Sequence, residues 1–294
     1  MNLKIFVVFI LFVQLNCGTG PSSDSAPENG PAEPVNDNSL KIGAAQLDLF
    51  LPLLENQSVA LVVNQTSRVG STHLVDTLLA SGVNITRIFS PEHGFRGTAD
   101  AGEKISDSRD QKTGIPLVSL YGKKRKPAAE DLEGVDWVIF DIQDVGARFY
   151  TYISTMHYVM EACAENDVAF MVLDRPNPNG HYVDGPVREP EYESFVGKHP
   201  VPVVHGMTVG EYARMVNGEG WLTNGIKCKL KVVSCENYSH STPYELPVKP
   251  SPNLPNYRSV LLYPSICFFE GTEVSLGRGT NKQFQVLGHP DYKA

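Results

Sequence analysis

Five short, mostly apolar runs, at 58–63, 83–89, 115–120, 135–140 and 168–173, constrain this chain more than anything else in it. Each is rich in β-branched or aromatic residues and each stops at a polar or turn-forming residue, so each reads as a strand. Helical spacing fills the stretches between them, at 73–80, 128–132 and 147–165. Strands apolar throughout and separated by helices predict a parallel sheet covered on both faces. Crossovers of one hand make all the strands point the same way, so their carboxyl ends share one edge. The expected fold class is α/β: a Rossmann-like open parallel sheet with helices on both faces.

Other segments carry weaker signals. Apolar residues at helical spacing around Pro52 predict one amphipathic helix over 40–55, with a late break. Thr208 followed by Glu211 predicts a capping box opening a helix over 209–217. Residues 227–234 alternate and read as a half-solvated strand, and 90–114 reads as a long polar loop. Beyond Gly185, proline and glycine become dense. The expected domains are therefore 40–184, Rossmann-like, and 185–294, a smaller α+β domain that is expected to be incomplete.

The first residues are not fold. Lys4 precedes an apolar run at 5–13, too short for a structural span, and Cys17 stands where a lipoprotein signal places its lipidated cysteine. Residues 1–17 read as an export signal and 18–39, nearly devoid of apolar side chains, as a disordered tether. The expected location is periplasmic or membrane-anchored, with the membrane contacted through a lipid anchor alone. Lys plus Arg is 25 against 33 Asp plus Glu, a net charge of −8, so no nucleic-acid partner is expected. Cys163, Cys228, Cys235 and Cys267 match no zinc spacing; Cys228 and Cys235 read equally well as a bridge or as free thiols.

The chemistry gathers at the expected strand ends: Asn64, Glu92 with His93, Tyr121, Asp141 with Asp144, and Asp174 with Arg175. Open α/β sheets build their sites at such ends. The densest group is Ser90-Pro91-Glu92-His93-Gly94-Phe95-Arg96-Gly97. A serine elbow, a dinucleotide glycine fingerprint, a Walker loop and a His-Glu-x-x-His helix are all missing. What remains is carboxylates, including Glu270 and Glu273, and two carboxyl groups suffice for glycosidic cleavage. Helix capping or ion pairing competes for each Asp, whereas Glu92, after a proline in a glycine loop, has no capping duty. Arg96, Arg148, Arg175 and Arg278 are candidates to fork onto a substrate carboxylate. His93 and His205 with Asp141 or Asp144 offer a metal alternative, but no metal and no cofactor is expected.

Long motifs, in order, give a resemblance: Asn64-Gln65-Thr66, Ser90-Pro91-Glu92-His93-Gly94, Phe140-Asp141-Ile142-Gln143-Asp144-Val145-Gly146-Ala147-Arg148-Phe149-Tyr150, Leu173-Asp174-Arg175-Pro176-Asn177-Pro178 and Glu270-Gly271-Thr272. From about Leu40 onward the chain resembles the NamZ-type exo-β-N-acetylmuramidases. The resemblance implies a Rossmann-like domain, a smaller C-terminal domain and a cleft between them. It implies release of N-acetylmuramic acid from the non-reducing end of peptidoglycan-derived glycans. Glu92 is then the expected general acid, with Asp141 and Asp144 as further catalytic candidates. Asn64, His93, Arg96, Arg148, Tyr150, Asp174, Arg175, His205, Glu270 and Arg278 are the expected substrate contacts. Leu276 departs from the family, whose members usually carry a polar residue there. A tethered sugar-binding lipoprotein without turnover, or a metal-dependent hydrolase, are the alternatives.

Overall fold

The computed structural model describes residues 38–91, 95 and 108–293. Cys17, Glu92, His93 and Arg96 lie outside the described residues. The chain runs β1 (Ser58–Val63), a hairpin of β2 (Arg68–Val69) and β3 (Thr72–His73), α1 (Leu74–Ala80), β4 (Asn84–Ser90), β5 (Ser108–Arg109), β6 (Pro116–Ser119), α2 (Ala129–Leu132), β7 (Trp137–Asp141), α3 (Tyr152–Glu165), β8 (Ala169–Leu173), α4 (Val209–Gly218), β9 (Lys229–Val233) and α5 (Tyr257–Ile266).

One sheet takes the order β5-β6-β4-β1-β7-β8-β9. Neighbours from β6 to β9 are parallel, and β5 adds antiparallel at one edge. The expected Rossmann-like α/β fold is present. Side chains of β1 alternate between two cores, as a two-residue period demands. Ala60 and Val62 pack with residues of α3 and α4, while Val59, Leu61 and Val63 pack with α1 and the 43–54 segment. From β1 the chain builds outward to β4 and β6, then returns to β7 and builds the other way. The reversal lies between β1 and β7, the place where such sheets open a crevice at their carboxyl edge.

Two expectations need correction. The 40–55 segment is not one helix but three 3-10 turns, Gly43–Ala45, Leu47–Leu49 and Leu51–Leu54. Its backbone is drawn onto the sheet instead: Gly43 N–H donates to Asp174 O at 2.8 Å and Gln46 Nε2 to Ser234 O at 2.7 Å. A Cβ at Gly43 would sit 2.3 Å from Val233 O, so only glycine allows that approach. The expected helix over 147–165 starts later, at Tyr152, because Arg148 N–H donates to Val203 O at 2.7 Å and Ala147 forms a bridge with Val204. A further helix, α5, forms in a stretch for which no element was expected, and it carries Pro264 within its last turn. The missing N–H frees Val260 O, which accepts from Asn179 Nδ2 at 3.2 Å.

The sheet also draws on the stretch expected to form the second domain, because β9 pairs in parallel with β8 over five positions. Ser39–Ala294 forms one compact unit. A third cluster, beyond the sheet edge, joins Val145 and Ala147 to Val260, Tyr263, Leu276 and Phe284; the unusual Leu276 is buried in it. The four described cysteines are free thiols.

Candidate functional site

Parallel pairing places Asn64, Asp141 and Asp174 at one edge, as expected. What they do there differs. At the β1/β7 reversal the crevice is filled by protein. Asn64 Oδ1 accepts from Thr66 N–H at 2.9 Å and from Thr66 Oγ1 at 2.6 Å, and Thr66 Oγ1 in turn accepts from Gln143 N–H at 3.0 Å. Ser67 Oγ donates to the Asp141 carbonyl. Asp141, with no solvent exposure, meets Arg175 fork to fork: Nε to Oδ1 at 2.5 Å and Nη2 to Oδ2 at 2.9 Å. Burial disfavours the Arg175 charge, but the Asp141 carboxylate overrules it and holds the guanidinium above its ordinary range. Neither Asp141 nor Arg175 is turned to a ligand here; each occupies the other.

Asp174 does not pair with Arg175 side chain to side chain. Its Oδ1 accepts from Gly210 N–H at 2.8 Å and its Oδ2 from Thr208 Oγ1 at 2.8 Å, tying the end of β8 to the start of α4. Burial, against these hydrogen bonds, lifts its carboxyl to about 6. The expected capping box is present, with Thr208 N–H donating to Glu211 Oε2 and Glu211 N–H to Thr208 Oγ1. Arg148 is buried too, donating to the carbonyls of Pro186 and Val201.

Asp144 has a different environment. Its Oδ2 accepts from Gly146 N–H at 2.7 Å, in a turn where Gly146 takes φ +76°. Its Oδ1 is buried with no hydrogen-bond partner. His205 Nε2, equally buried and unpartnered, lies 3.9 Å from Oδ2. His205 Nδ1 accepts from Met207 N–H at 3.3 Å, which puts the ring proton on Nε2, facing Asp144. Burial, against backbone hydrogen bonds, lifts the Asp144 carboxyl to about 7, and burial pushes His205 down to about 3.

Tyr150 and Tyr263, whose phenols feel the Asp144 charge, line a cleft of about 210 Å³ that Asp144 itself does not line. Phe149 and Tyr150 enter it from the loop after β7, Tyr152 from the start of α3, Tyr263 from α5, and Phe284, Glu270 and Arg278 from the C-terminal stretch. Tyr150 stands edge-on to Tyr152 and Tyr263, with centroids 5.0 and 5.8 Å apart, and its hydroxyl donates to Pro250 O at 2.7 Å. Burial first, then Tyr152 and the Asp144 charge, raise the Tyr150 phenol well above its ordinary range. Glu270 and Arg278 form a half-exposed ion pair at the rim. The structure thus brings Tyr150, Glu270 and Arg278 to one cleft. It leaves Asn64, Asp141, Asp174, Arg148 and Arg175 in the framework. Tyr263, Phe284, Ser251 and Asn253, which also line the cleft, were not anticipated; Tyr263 sits on α5 and the others lie before and after it, in a stretch with no motif to mark them. Among the described residues, no three His, Cys, Asp or Glu side chains converge so as to hold a metal ion.

Comparison with known proteins places the chain in a family. Residues 59–258 match the family model "Exo-beta-N-acetylmuramidase NamZ, N-terminal", and 261–294 match its C-terminal counterpart. The chain is 45% identical over 266 residues to the peptidoglycan β-N-acetylmuramidase NamZ of Bacillus subtilis (strain 168), covering 84% of this chain and 62% of that protein. It therefore spans less than two-thirds of that relative's length. Two crystal structures of DUF1343 family proteins from Bacteroides fragilis NCTC 9343 superpose on it. One is 52% identical with a TM-score of 0.81, covering 87% of this chain and 69% of its own. The other is 36% identical with a TM-score of 0.78, covering 87% and 66%.

Proposed function

The chain belongs to the NamZ family of exo-β-N-acetylmuramidases, and from that premise we propose that it is an exo-acting glycosidase releasing N-acetylmuramic acid from the non-reducing end of peptidoglycan-derived glycans. The observation that carries this reading is the 45% identity to a peptidoglycan β-N-acetylmuramidase. The cleft is in keeping with it. Aromatic walls suit the apolar faces of a sugar ring, and a rim arginine, Arg278, suits the carboxylate that distinguishes muramic acid from glucosamine.

Hydrolysis of a glycosidic bond needs a group to protonate the leaving oxygen and a second source of charge, base or nucleophile. We assign the acid to Glu92, which in the sequence lies two positions after Ser90, the last residue of β4. Asp144 is the second carboxyl group of this reading, since a carboxyl poised near neutrality can give or take a proton at working pH. We also propose that residues 1–17 direct export and that Cys17 carries the lipid anchor, with 18–39 as tether.

The test is release of a chromogenic aglycone from a β-N-acetylmuramide. Wild type is expected to turn it over, and Glu92→Gln to lose at least about 100-fold in rate with its circular dichroism unchanged. Full activity in Glu92→Gln removes the assigned acid. Calorimetric binding of muramic-acid sugars without any product replaces the enzyme with a sugar-binding protein. Loss of membrane association in Cys17→Ser tests the anchor.

A further inference from the structure

The cleft holds a polar group that neither the fold nor the proposed chemistry employs. Asn253 lies in Pro250-Ser251-Pro252-Asn253-Leu254-Pro255, a run that the sequence marks only by its prolines. It lines the cleft together with Tyr150 and Tyr263. Among the described residues its side-chain amide takes no hydrogen-bond partner. Its polar neighbours in the cleft are engaged. The Tyr150 hydroxyl donates to Pro250 O, Glu270 pairs with Arg278, and Ser251 Oγ accepts from the Asn253 backbone N–H at 3.2 Å.

The backbone that carries this amide is fixed on both sides. Before it, Pro250 O accepts from Tyr150 Oη at 2.7 Å and from Gln65 Nε2 at 3.2 Å, and Lys249 O accepts from the same Gln65 nitrogen at 3.2 Å. Across the turn, Leu254 N–H donates to Ser251 O at 3.1 Å. After it, the Leu254 side chain is buried in the third cluster with Val260 and Phe284. Pro250, Pro252 and Pro255 each lock their own φ. The ordering cost of this stretch is therefore met on folding, before any ligand arrives. A half-buried amide on such a support can bind without ordering its backbone further.

A carboxamide presents a donor and an acceptor in one plane. The group that matches both arms at once is a second amide, NH2 to C=O and C=O to N–H. A hydroxyl, a single atom, meets one arm of the fork. Asn253 is the one carboxamide among the residues that line the cleft. The sugar of the proposed reaction carries one amide on its ring, the 2-acetamido group. We propose that Asn253 is a specificity-determining residue that reads this group, donating from Nδ2 to the acetamido oxygen and accepting at Oδ1 from its N–H. Val196, half-exposed on the same cleft, offers an apolar surface for the acetyl methyl. The identity of the sugar rests on the muramidase reading, whereas the contact rests on the fixed and unpartnered amide.

The test is calorimetry on the full chain with two ligands that differ only at carbon 2. One is N-acetylmuramic acid; the other is 3-O-lactylglucose, which carries a hydroxyl there and no added charge. Wild type is expected to bind the N-acetyl sugar about 10-fold more tightly, as two half-buried hydrogen bonds allow. Asn253→Ala is expected to lose about 10-fold for the N-acetyl sugar and less than about 2-fold for the other, so the preference collapses. Its circular dichroism and urea midpoint are expected to stay at wild-type values, since the side chain supports no bond of the fold. Asn253→Asp keeps an acceptor without a donor and is expected to lose the preference too, whereas Asn253→Gln, with the amide on a longer stem, is expected to keep part of it. A wild type without preference, an Asn253→Ala chain that keeps it, or one that loses both sugars equally overturns the assignment. If wild type then still hydrolyses a β-N-acetylmuramide, the muramidase reading survives that loss. Preference abolished by Asn253→Ala in a chain that hydrolyses nothing overturns the muramidase reading and upholds the assignment. A wild type that binds neither sugar overturns the assignment, and hydrolysis alone then decides the reading.

Discussion

Asp141 and Asp144 leave the same strand end three positions apart, and they meet opposite conditions. Around Asp141 the β1/β7 crevice is closed. Both carboxylate oxygens are matched by Arg175, and the neighbouring amides and hydroxyls bind one another. Around Asp144 one oxygen goes without a partner and a histidine N–H stops 3.9 Å short. A buried charge with a matched counter-charge is a girder. A buried carboxyl without one holds its proton to near pH 7 and becomes available for chemistry. Position at a strand's carboxyl end makes a residue a candidate, and the partner it meets decides what it becomes.

The contrast can be broken by mutation. The largest effect is expected from Asp141→Ala, which strands the Arg175 charge in the interior and costs about 3–5 kcal/mol in urea unfolding. A loss below about 1 kcal/mol would erase the distinction between the two carboxyl groups.

Asp144→Asn is expected to act through pH. The Asp144 carboxyl rests at about 7 in the folded chain against 3.8 ordinarily, so the folded state binds its proton more tightly. Its stabilising contribution is complete below about pH 4 and is lost as pH rises to about 7. The stability of wild type minus that of Asp144→Asn should therefore fall with rising pH, by up to about 1.4 kcal/mol per unit within that window. Taking the difference removes the opposite trend of His157, His199 and His205, which burial holds to about 4, 2 and 3. A flat difference curve places Asp144 among ordinary carboxylates.

Tyr150→Phe sharpens the cleft side of the comparison. It deletes the hydroxyl bonded to Pro250 O but keeps the ring, for a loss of about 1 kcal/mol in thermal or urea unfolding. Smallest of all is Glu270→Gln at the half-exposed rim, expected to change stability by less than about 1 kcal/mol, and less still in high salt. A larger, salt-independent loss would mean that the rim pair belongs to the framework, as Asp141 and Arg175 do.

Much of the sheet was legible because its cause is local. Apolar runs of strand length, a polar residue at each end and the handedness of crossovers lead to the parallel order without further information. The Thr208–Glu211 box was equally readable, since capping acts over three residues. The 40–55 segment misled because its helical spacing answers to the carboxyl edges of β8 and β9, where the Gly43 backbone binds Asp174 and the Gln46 side chain binds Ser234. α5 was not read from the sequence, and its Pro264 is accommodated because Asn179, 81 positions from Val260, takes up the Val260 carbonyl.

The amino-acid order by itself determined the α/β class, the direction of the strands and the edge at which the polar residues gather, because burial and chirality act through neighbours in the chain. Tertiary structure alone decided which carboxyl groups are spent and which are free. Arg175 reaches Asp141 from 34 positions away, and His199 reaches His157 from 42. Such pairings depend on which side chains the packed helices and loops bring within about 3 Å, and hydrogen bonding falls off too steeply with distance for residue type alone to reveal it.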